Sequence, residues 1–249
     1  MIKKIVTLTM TLLIFGLVIN FGYSQAYLIT IENAGFENQV LTNGTYTENE
    51  PPGWEIYSEL TGAYDAYYGA WNPIRLEDYP FTPNGAPEGR NVGYIEIYPR
   101  YDMEGFMGFS QTLDAFLMAG ITYDLQVDIG NTRGYEYRGF PGYRIELLAG
   151  NVAGDDDDYM LLAYDDNTLS PDEGTFCTSS VSFTAPSDHL MLGEALTIRL
   201  LNISTGSGLE VDFDNVRLDA APVPTPEPST MLLLGLGLVG LVGIRRRKK

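Results

Sequence analysis

Three carboxylates alternate along Leu209-Glu-Val-Asp-Phe-Asp-Asn-Val-Arg-Leu218, with Glu210, Asp212 and Asp214 set between or beside Leu209, Val211 and Phe213. A period of two describes a strand with one face in a core and the other facing water. After Phe213 the apolar phase slips by one, to Val216 and Leu218. A β-bulge produces that slip and re-aims side chains, here Asp214 and Asn215. A further carboxylate, Glu37, ends the stretch Ile29-Thr-Ile-Glu-Asn-Ala-Gly-Phe-Glu37 near the start of the body. First and last strands of a sandwich are commonly neighbours. Glu37, Asp214 and the carbonyls near Asn33 and Gly35 therefore form a candidate site for calcium, a hard cation that takes several oxygen ligands. The same two residues read equally well as surface carboxylates beside turns.

Strands that must position these groups recur along the chain. Val92–Ile97, Phe109–Leu113, Tyr123–Ile129, Tyr143–Leu147, Met160–Tyr164, Thr175–Thr184 and Leu196–Leu200 alternate or run apolar, punctuated by Gly, Pro, Asn and Asp. That spacing predicts an all-β fold, a two-sheet jelly-roll sandwich. Asn38 to Gly89 reads as long loops with short strands, Trp54 of Pro52-Gly-Trp54 packing under a sheet. Asp114 to Ala119 is the one stretch expected to make a helical turn.

Outside its two ends the chain keeps eight arginines and no lysine against 32 carboxylates. No basic groove is available to displace counterions, so nucleic acid is not expected as a partner. Cys177 is the only cysteine, which excludes an intramolecular disulfide, and it is expected to be packed or inert. His189, the sole histidine, sits in a turn-like Pro186-Ser-Asp-His-Leu and supports no triad. Gly235-Leu-Gly-Leu-Val-Gly240 matches a dinucleotide fingerprint by letter but follows no strand, so it is read as small-residue spacing in an apolar tail.

The ends are address segments. Residues 1–26 carry Lys3 and Lys4, an apolar run from Ile5 to Ile19 and small residues at Ser24 and Ala26, the pattern of a signal peptide with an apolar helix. The body is expected over 27–221, followed by a Pro-rich linker over 222–230 and an apolar tail with a basic end over 231–249. Met231 to Ile244 would span about 21 Å as a helix, short of the roughly 30 Å hydrocarbon core and so a transient anchor.

Two resemblances follow from particular residues. Pro226-Glu-Pro228, the apolar segment and Arg245-Arg-Arg-Lys-Lys249 occur in order and resemble the PEP-CTERM sorting signal of bacterial exported proteins. The resemblance implies export, inner-membrane residence through the tail, recognition by an exosortase, and a final place at the cell surface or in an exopolysaccharide matrix. The body, through Asn33-Ala-Gly-Phe-Glu37, Pro52-Gly-Trp54 and Phe213-Asp-Asn-Val216, resembles calcium-binding jelly rolls of the galactose-binding and carbohydrate-binding-module type. Through Ala86-Pro-Glu-Gly-Arg-Asn91, Gly139-Phe-Pro-Gly-Tyr-Arg144 and Val211 to Leu218 it is similar to the cyanobacterial Stig cyclases, which turn a prenylated indole isonitrile into polycyclic alkaloids. That resemblance implies Asp212 as the acid that protonates the substrate, Tyr94 and Phe81 in the pocket, and Glu37 and Asp214 as calcium ligands.

The first functional reading is a non-enzymatic, calcium-stabilised matrix protein that binds polysaccharide, with Trp71, Tyr64, Tyr67 and Tyr68 stacking on sugar rings. The alternative is a Stig-type cyclase or isomerase. A third is a structural coat component without a small ligand.

Overall fold

Apolar and polar residues alternate most regularly in the second half of the chain, and there each alternating run becomes a strand. The computed structural model describes residues 25–74, 84–133, 139–150, 158–206 and 208–223. Its strands are β1 (Tyr27–Ile29), β2 (Glu55–Ser58), β3 (Tyr64–Trp71), β4 (Val92–Pro99), β5 (Met107–Phe116), β6 (Ile121–Asn131), β7 (Tyr143–Gly150), β8 (Tyr159–Asp166), β9 (Thr175–Thr184), β10 (Ala195–Asn202) and β11 (Glu210–Pro222). They form two antiparallel sheets, the jelly-roll sandwich expected from the sequence. One runs β3-β4-β11-β6-β9 with β1 paired to β11, the other β2-β5-β10-β7-β8.

Ala26–Ala221 forms one compact unit. Of the residues outside that unit only Gln25, Pro222 and Val223 are described. The signal segment, the apolar tail, and Pro226, Glu227 and Pro228 lie outside the described residues.

The core lies between the sheets. Ile95 and Ile97 of β4, Leu125, Val127 and Ile129 of β6, and Val211 and Phe213 of β11 face Ile145 and Leu147 of β7 and Ile198 and Leu200 of β10. Phe36 anchors the loop before β2. It is fully buried, stacks on Trp54 with ring centroids 5.5 Å apart, and meets Phe109 at 5.4 Å. Its backbone takes φ of 58°, a strained value for a bulky residue, and Gly93 opposite lacks the Cβ that would collide with its ring.

The expected partnership of first and last strands holds, with Ile29 opposite Leu218. The phase slip in β11 coincides with Asn215 at φ of 52°, and the next amide, Val216 N–H, donates out of the ladder to the Ala34 carbonyl. The helical turn expected over 114–119 does not form. β5 continues to Phe116, paired with Ala195 of β10, because Leu113 keeps the inward phase of Phe109 and strand pairing satisfies the backbone. Cys177 is exposed on β9 rather than packed. The edges of the two sheets are tied by Asp165 of β8, whose buried carboxylate accepts from the hydroxyls of Ser179 on β9, Tyr143 on β7 and Thr168.

Burial alone would raise the Asp165 pKa, but these hydrogen bonds outweigh it and leave the group below its ordinary value. A carboxylate depressed in the fold stabilises above its unfolded pKa and stops doing so as pH falls through the folded one. Asp165→Ala should therefore cost about 3 kcal/mol near neutrality, since it strands buried hydroxyls. Urea melts should show the gap from wild type shrinking in acid, and an unchanged gap across pH would contradict this account.

Candidate active site

Strand alternation sends one set of side chains from β3, β4 and β11 into the core and the other onto the open face of their sheet. In β3, Asp65, Tyr67 and Trp71 take the open face, while Ala66 and Tyr68 pack against the core. In β4 the open-face residues are Tyr94, Glu96 and Tyr98, and in β11 Glu210 joins them. Register fixes who meets whom: Tyr67 lies opposite Glu96, Glu96 opposite Glu210, and Tyr94 opposite Asp212. With Gly44, Tyr46 and Glu48 from the preceding loop they enclose a cleft of about 710 Å³. Phenol and indole rings give it aromatic faces, but carboxyls and Arg100 make its lining more polar than apolar.

Tyr94 is fixed from two sides. Its hydroxyl donates to the Thr47 carbonyl at 3.0 Å, and its ring meets Tyr46 edge-on with centroids 6.5 Å apart. Burial, reinforced by the carboxylates of Glu210, Glu48 and Glu96, holds its phenol well above the usual range. Tyr94 is therefore held neutral at the cleft wall.

The carboxyl chemistry sits at one wall. Asp212 has no exposed surface. Its Oδ1 accepts from Trp71 Nε1–H at 3.0 Å, and its Oδ2 lies 2.6 Å from Thr132 Oγ1. The same Oγ1 lies 2.6 Å from Glu210 Oε1. Room for this comes from Gly130, where a side chain would collide with the Phe176 ring and the Asp212 Cβ. Burial pushes Asp212 up to about 6 even though Thr132, Trp71 and Glu210 bond its ionised form. Burial and then the Asp212 charge raise Glu210 well above the carboxylate range. Two carboxyls that cannot both ionise cheaply hold a proton near neutral pH, the condition for a general acid.

The other sequence-predicted pair lies where the loop before β2 meets β11. Asp214 is fully buried, with Oδ2 accepting from Glu88 N–H at 2.8 Å and Oδ1 from Asn215 N–H at 2.7 Å. Burial pushes its carboxyl up to about 8; the two backbone bonds pull it down, and Glu88 and Asp128 push it up again. Glu37 Oε1 accepts from the amides of Arg90 and Asn91, each at 2.6 Å. A Cβ at Gly35 would strike the Glu88 carboxylate and lie 3.5 Å from Asp214 Oδ1, so both carboxylates flank the Gly35 backbone. Among the described residues no three His, Cys, Asp or Glu side chains form a ready-made metal cage. An all-oxygen set of two carboxylates plus backbone carbonyls nevertheless suits a hard cation, and the buried Asp214 charge calls for a positive partner.

Of the proposed stacking residues, Trp71 and Tyr67 line the cleft, Tyr68 turns to the core, and Tyr64 stands exposed at the start of β3. Phe81 lies outside the described residues. Sequence reasoning did not pick out Thr132, which follows β6 without any local pattern. Nor did it assign a role to Glu88, although the stretch Ala86-Pro-Glu-Gly-Arg-Asn91 drew attention to its surroundings.

Residues 27–219 match the model of the HpiC1-like family, described as HpiC1 cyclase, and residues 224–248 match the PEP-CTERM protein-sorting motif. Among solved structures, a Stig cyclase from Fischerella sp. TAU in complex with (3Z)-3-(1-methyl-2-pyrrolidinylidene)-3H-indole is 40% identical. The match covers 80% of this chain and 100% of that one, with a TM-score of 0.69. The apo form of a cyclase from Fischerella sp. is 41% identical over 80% of this chain and 98% of that one, again at 0.69. A Fischerella sp. TAU cyclase in complex with 4-(1H-indol-3-yl)butan-2-one is 41% identical over 80% and 100% of the two chains, at 0.68. No curated protein matches.

Proposed function

Because the chain belongs to the HpiC1-like cyclase family, we propose that it is an acid-catalysed cyclase or isomerase acting on a prenylated indole-type substrate. The observation that carries this reading is the buried carboxyl pair, Asp212 and Glu210, bridged by Thr132 at the wall of an aromatic cleft. A proton delivered to the substrate generates a cation, which aromatic faces and nearby carboxylates stabilise. Asp212 is the acid that the family resemblance names, and Tyr94 is a wall of the pocket. The two Fischerella sp. TAU complexes hold indole compounds, and the cleft here presents the aromatic side chains Trp71, Tyr94 and Tyr67.

This displaces polysaccharide binding as the leading reading. Trp71, the main candidate for stacking on sugar, is only 8% exposed and its N–H is committed to Asp212. With that N–H held by Asp212, Trp71 is part of the acid site.

Calcium, which the family resemblance implies, would be held by Glu37 and Asp214, with Glu88 beside them. Its contribution there is structural: a divalent charge offsets buried carboxylates and fastens the loop around Phe36 to β11. The PEP-CTERM motif over 224–248 points to an exported protein sorted by an exosortase, so the proposed chemistry belongs to the cell envelope or beyond it.

Binding tests the cleft directly. The full chain has two tryptophans, Trp54 packed on Phe36 and Trp71 in the cleft wall. Titration with 4-(1H-indol-3-yl)butan-2-one should change Trp71 emission saturably, and Trp71→Phe should remove that change. A folded chain with no saturable response, but retained by glycan columns, would reverse the assignment.

A further inference from the structure

Strand register gathers several turns at one end of the sandwich. As β11 advances from Asn215 to Arg217, its side chains bond Asp128 and then Gln126 of β6, so the end of β11 lies beside the start of β6. Ala220 of β11 also faces Tyr27 of β1, and Thr122 of β6 faces Thr184, the last residue of β9. In the other sheet Phe116, the last residue of β5, faces Ala195, the first of β10. Gly120 N–H donates to the Ala185 carbonyl at 2.8 Å and Gly193 N–H to the Leu117 carbonyl at 2.9 Å, which ties the turns over 117–120 and 185–194 together. Five large apolar side chains project from this end and stay exposed: Tyr27, Leu28, Phe116, Met118 and Leu190, the last at 85%. Their neighbours Leu117, Met191 and Leu192 turn inward onto the core instead. Among the described residues over 26–30, 114–122, 184–196 and 219–221 there are four carboxylates, Asp114, Asp188, Glu194 and Asp219, and no lysine or arginine.

The chain also leaves the body here. β11 reaches Ala221 at the edge of the compact unit, nine residues of Pro-rich linker follow over 222–230, and the apolar segment within the PEP-CTERM match begins at Met231. In polyproline geometry nine residues reach about 28 Å. A bilayer that takes up the apolar segment is therefore within reach of this end. The cleft is not so placed: Glu210 lines it at the start of the same 13-residue strand, roughly 40 Å away at the rise of a strand.

We propose that this end of the body rests on a lipid bilayer, with Leu28, Phe116, Met118 and Leu190 entering the interfacial layer and Tyr27 at headgroup depth, so that the cleft stands clear of the surface. An interface of lipid accepts single apolar side chains projecting from turns without a shaped groove, and it favours tyrosine at the headgroups. With carboxylates and no basic side chain around the patch, the contact is apolar and not a charge attraction. It therefore suits a zwitterionic leaflet and weakens as anionic lipid is added. The docking is independent of the cyclase chemistry.

The experiment uses the full chain, reconstituted through its own tail in phosphatidylcholine vesicles. In a Cys177→Ser background, Phe116→Cys, Leu190→Cys and Tyr101→Cys each carry one environment-sensitive fluorophore; Tyr101, exposed just after β4, marks the cleft end. Lipids brominated near the headgroup should quench the probes at 116 and 190 about twofold or more beyond the probe at 101, since quenching needs contact with the interfacial layer. Leu28→Ser combined with Met118→Ser, both at exposed positions where substitution is tolerated, should bring the probe at 190 down to the level of the one at 101. Replacing part of the phosphatidylcholine by phosphatidylglycerol should lower the quenching, and added salt should restore it. Probes at 116 and 190 quenched no more than the one at 101 overturn the proposal, because the body then hangs free on its linker. A chain that does not float with the vesicles overturns it too. Sedimentation in detergent covers the remaining occupant: a dimer dispersed by the double serine substitution assigns the patch to a second copy and sets the bilayer aside.

Discussion

Asp212→Asn should reduce turnover by about 10²- to 10⁴-fold, the range by which a positioned general acid accelerates proton transfer, with the melting curve close to that of wild type. The side chains are nearly isosteric, and the amide oxygen can keep the Trp71 N–H bond that now ends on Oδ1. What the amide cannot do is carry a negative charge or exchange a proton with Thr132. The loss should fall on kcat, because Asp212 has no exposed surface and contributes little to holding the substrate. Steady-state kinetics beside a thermal melt checks this. A folded variant with full turnover would remove Asp212 from the chemistry, and a variant that unfolds would recast it as structural.

The second large effect concerns the cation. Calcium at about a thousandfold over its dissociation constant should stabilise the body by about 4 kcal/mol, which for a domain of this size is roughly 10 °C in Tm. Asp214 is buried beside Glu88 and Asp128, so without a cation its charge is poorly compensated and its carboxyl titrates far above the usual range. Glu37, bonded to the amides of Arg90 and Asn91, ties the Phe36 loop to the start of β4. The cation would join both carboxylates, so Asp214→Asn and Glu37→Gln should each abolish most of the calcium response while leaving the fold intact. Differential scanning calorimetry with calcium and with chelator measures it directly. Identical melts in the two conditions would mean that these carboxylates bond only to backbone amides and hold no metal.

The sandwich was legible because its strands alternate. Tyr123 to Ile129 writes its buried face plainly into the sequence, and the slip after Phe213 marked the positive-φ residue Asn215. β3 was harder: Tyr64-Asp-Ala-Tyr-Tyr-Gly-Ala-Trp71 carries aromatics on both faces, so no period separates Tyr67 in the cleft from Tyr68 against the core. The stretch 114–119 misled because Asp114 to Phe116 looks helical in isolation, and only the β10 partner keeps it extended.

The site was half legible. Asp212 and Asp214 lie on one strand and were visible as a pattern. The group that bridges Asp212 to Glu210 was not, because Thr132 reaches them through the alignment of β6 beside β11, which no local spacing records. Trp71 illustrates the same limit from the other side. Its ring suggested a sugar platform, whereas the register of β3 on β4, and β4 on β11, turns its N–H onto a carboxylate 141 residues away in sequence.

Rearrangement of a prenylated indole by this chain can be observed outright. The direct measurement is incubation of the full chain, with calcium, with a prenylated indole isonitrile, followed by chromatography and mass spectrometry of the extract. A new species of the same mass as the substrate should form, since an acid-catalysed cyclisation neither adds nor removes atoms. Its formation should stop in Asp212→Asn. Substrate recovered unchanged from a folded chain in the presence of calcium would mean that the protein is not a cyclase for this substrate class.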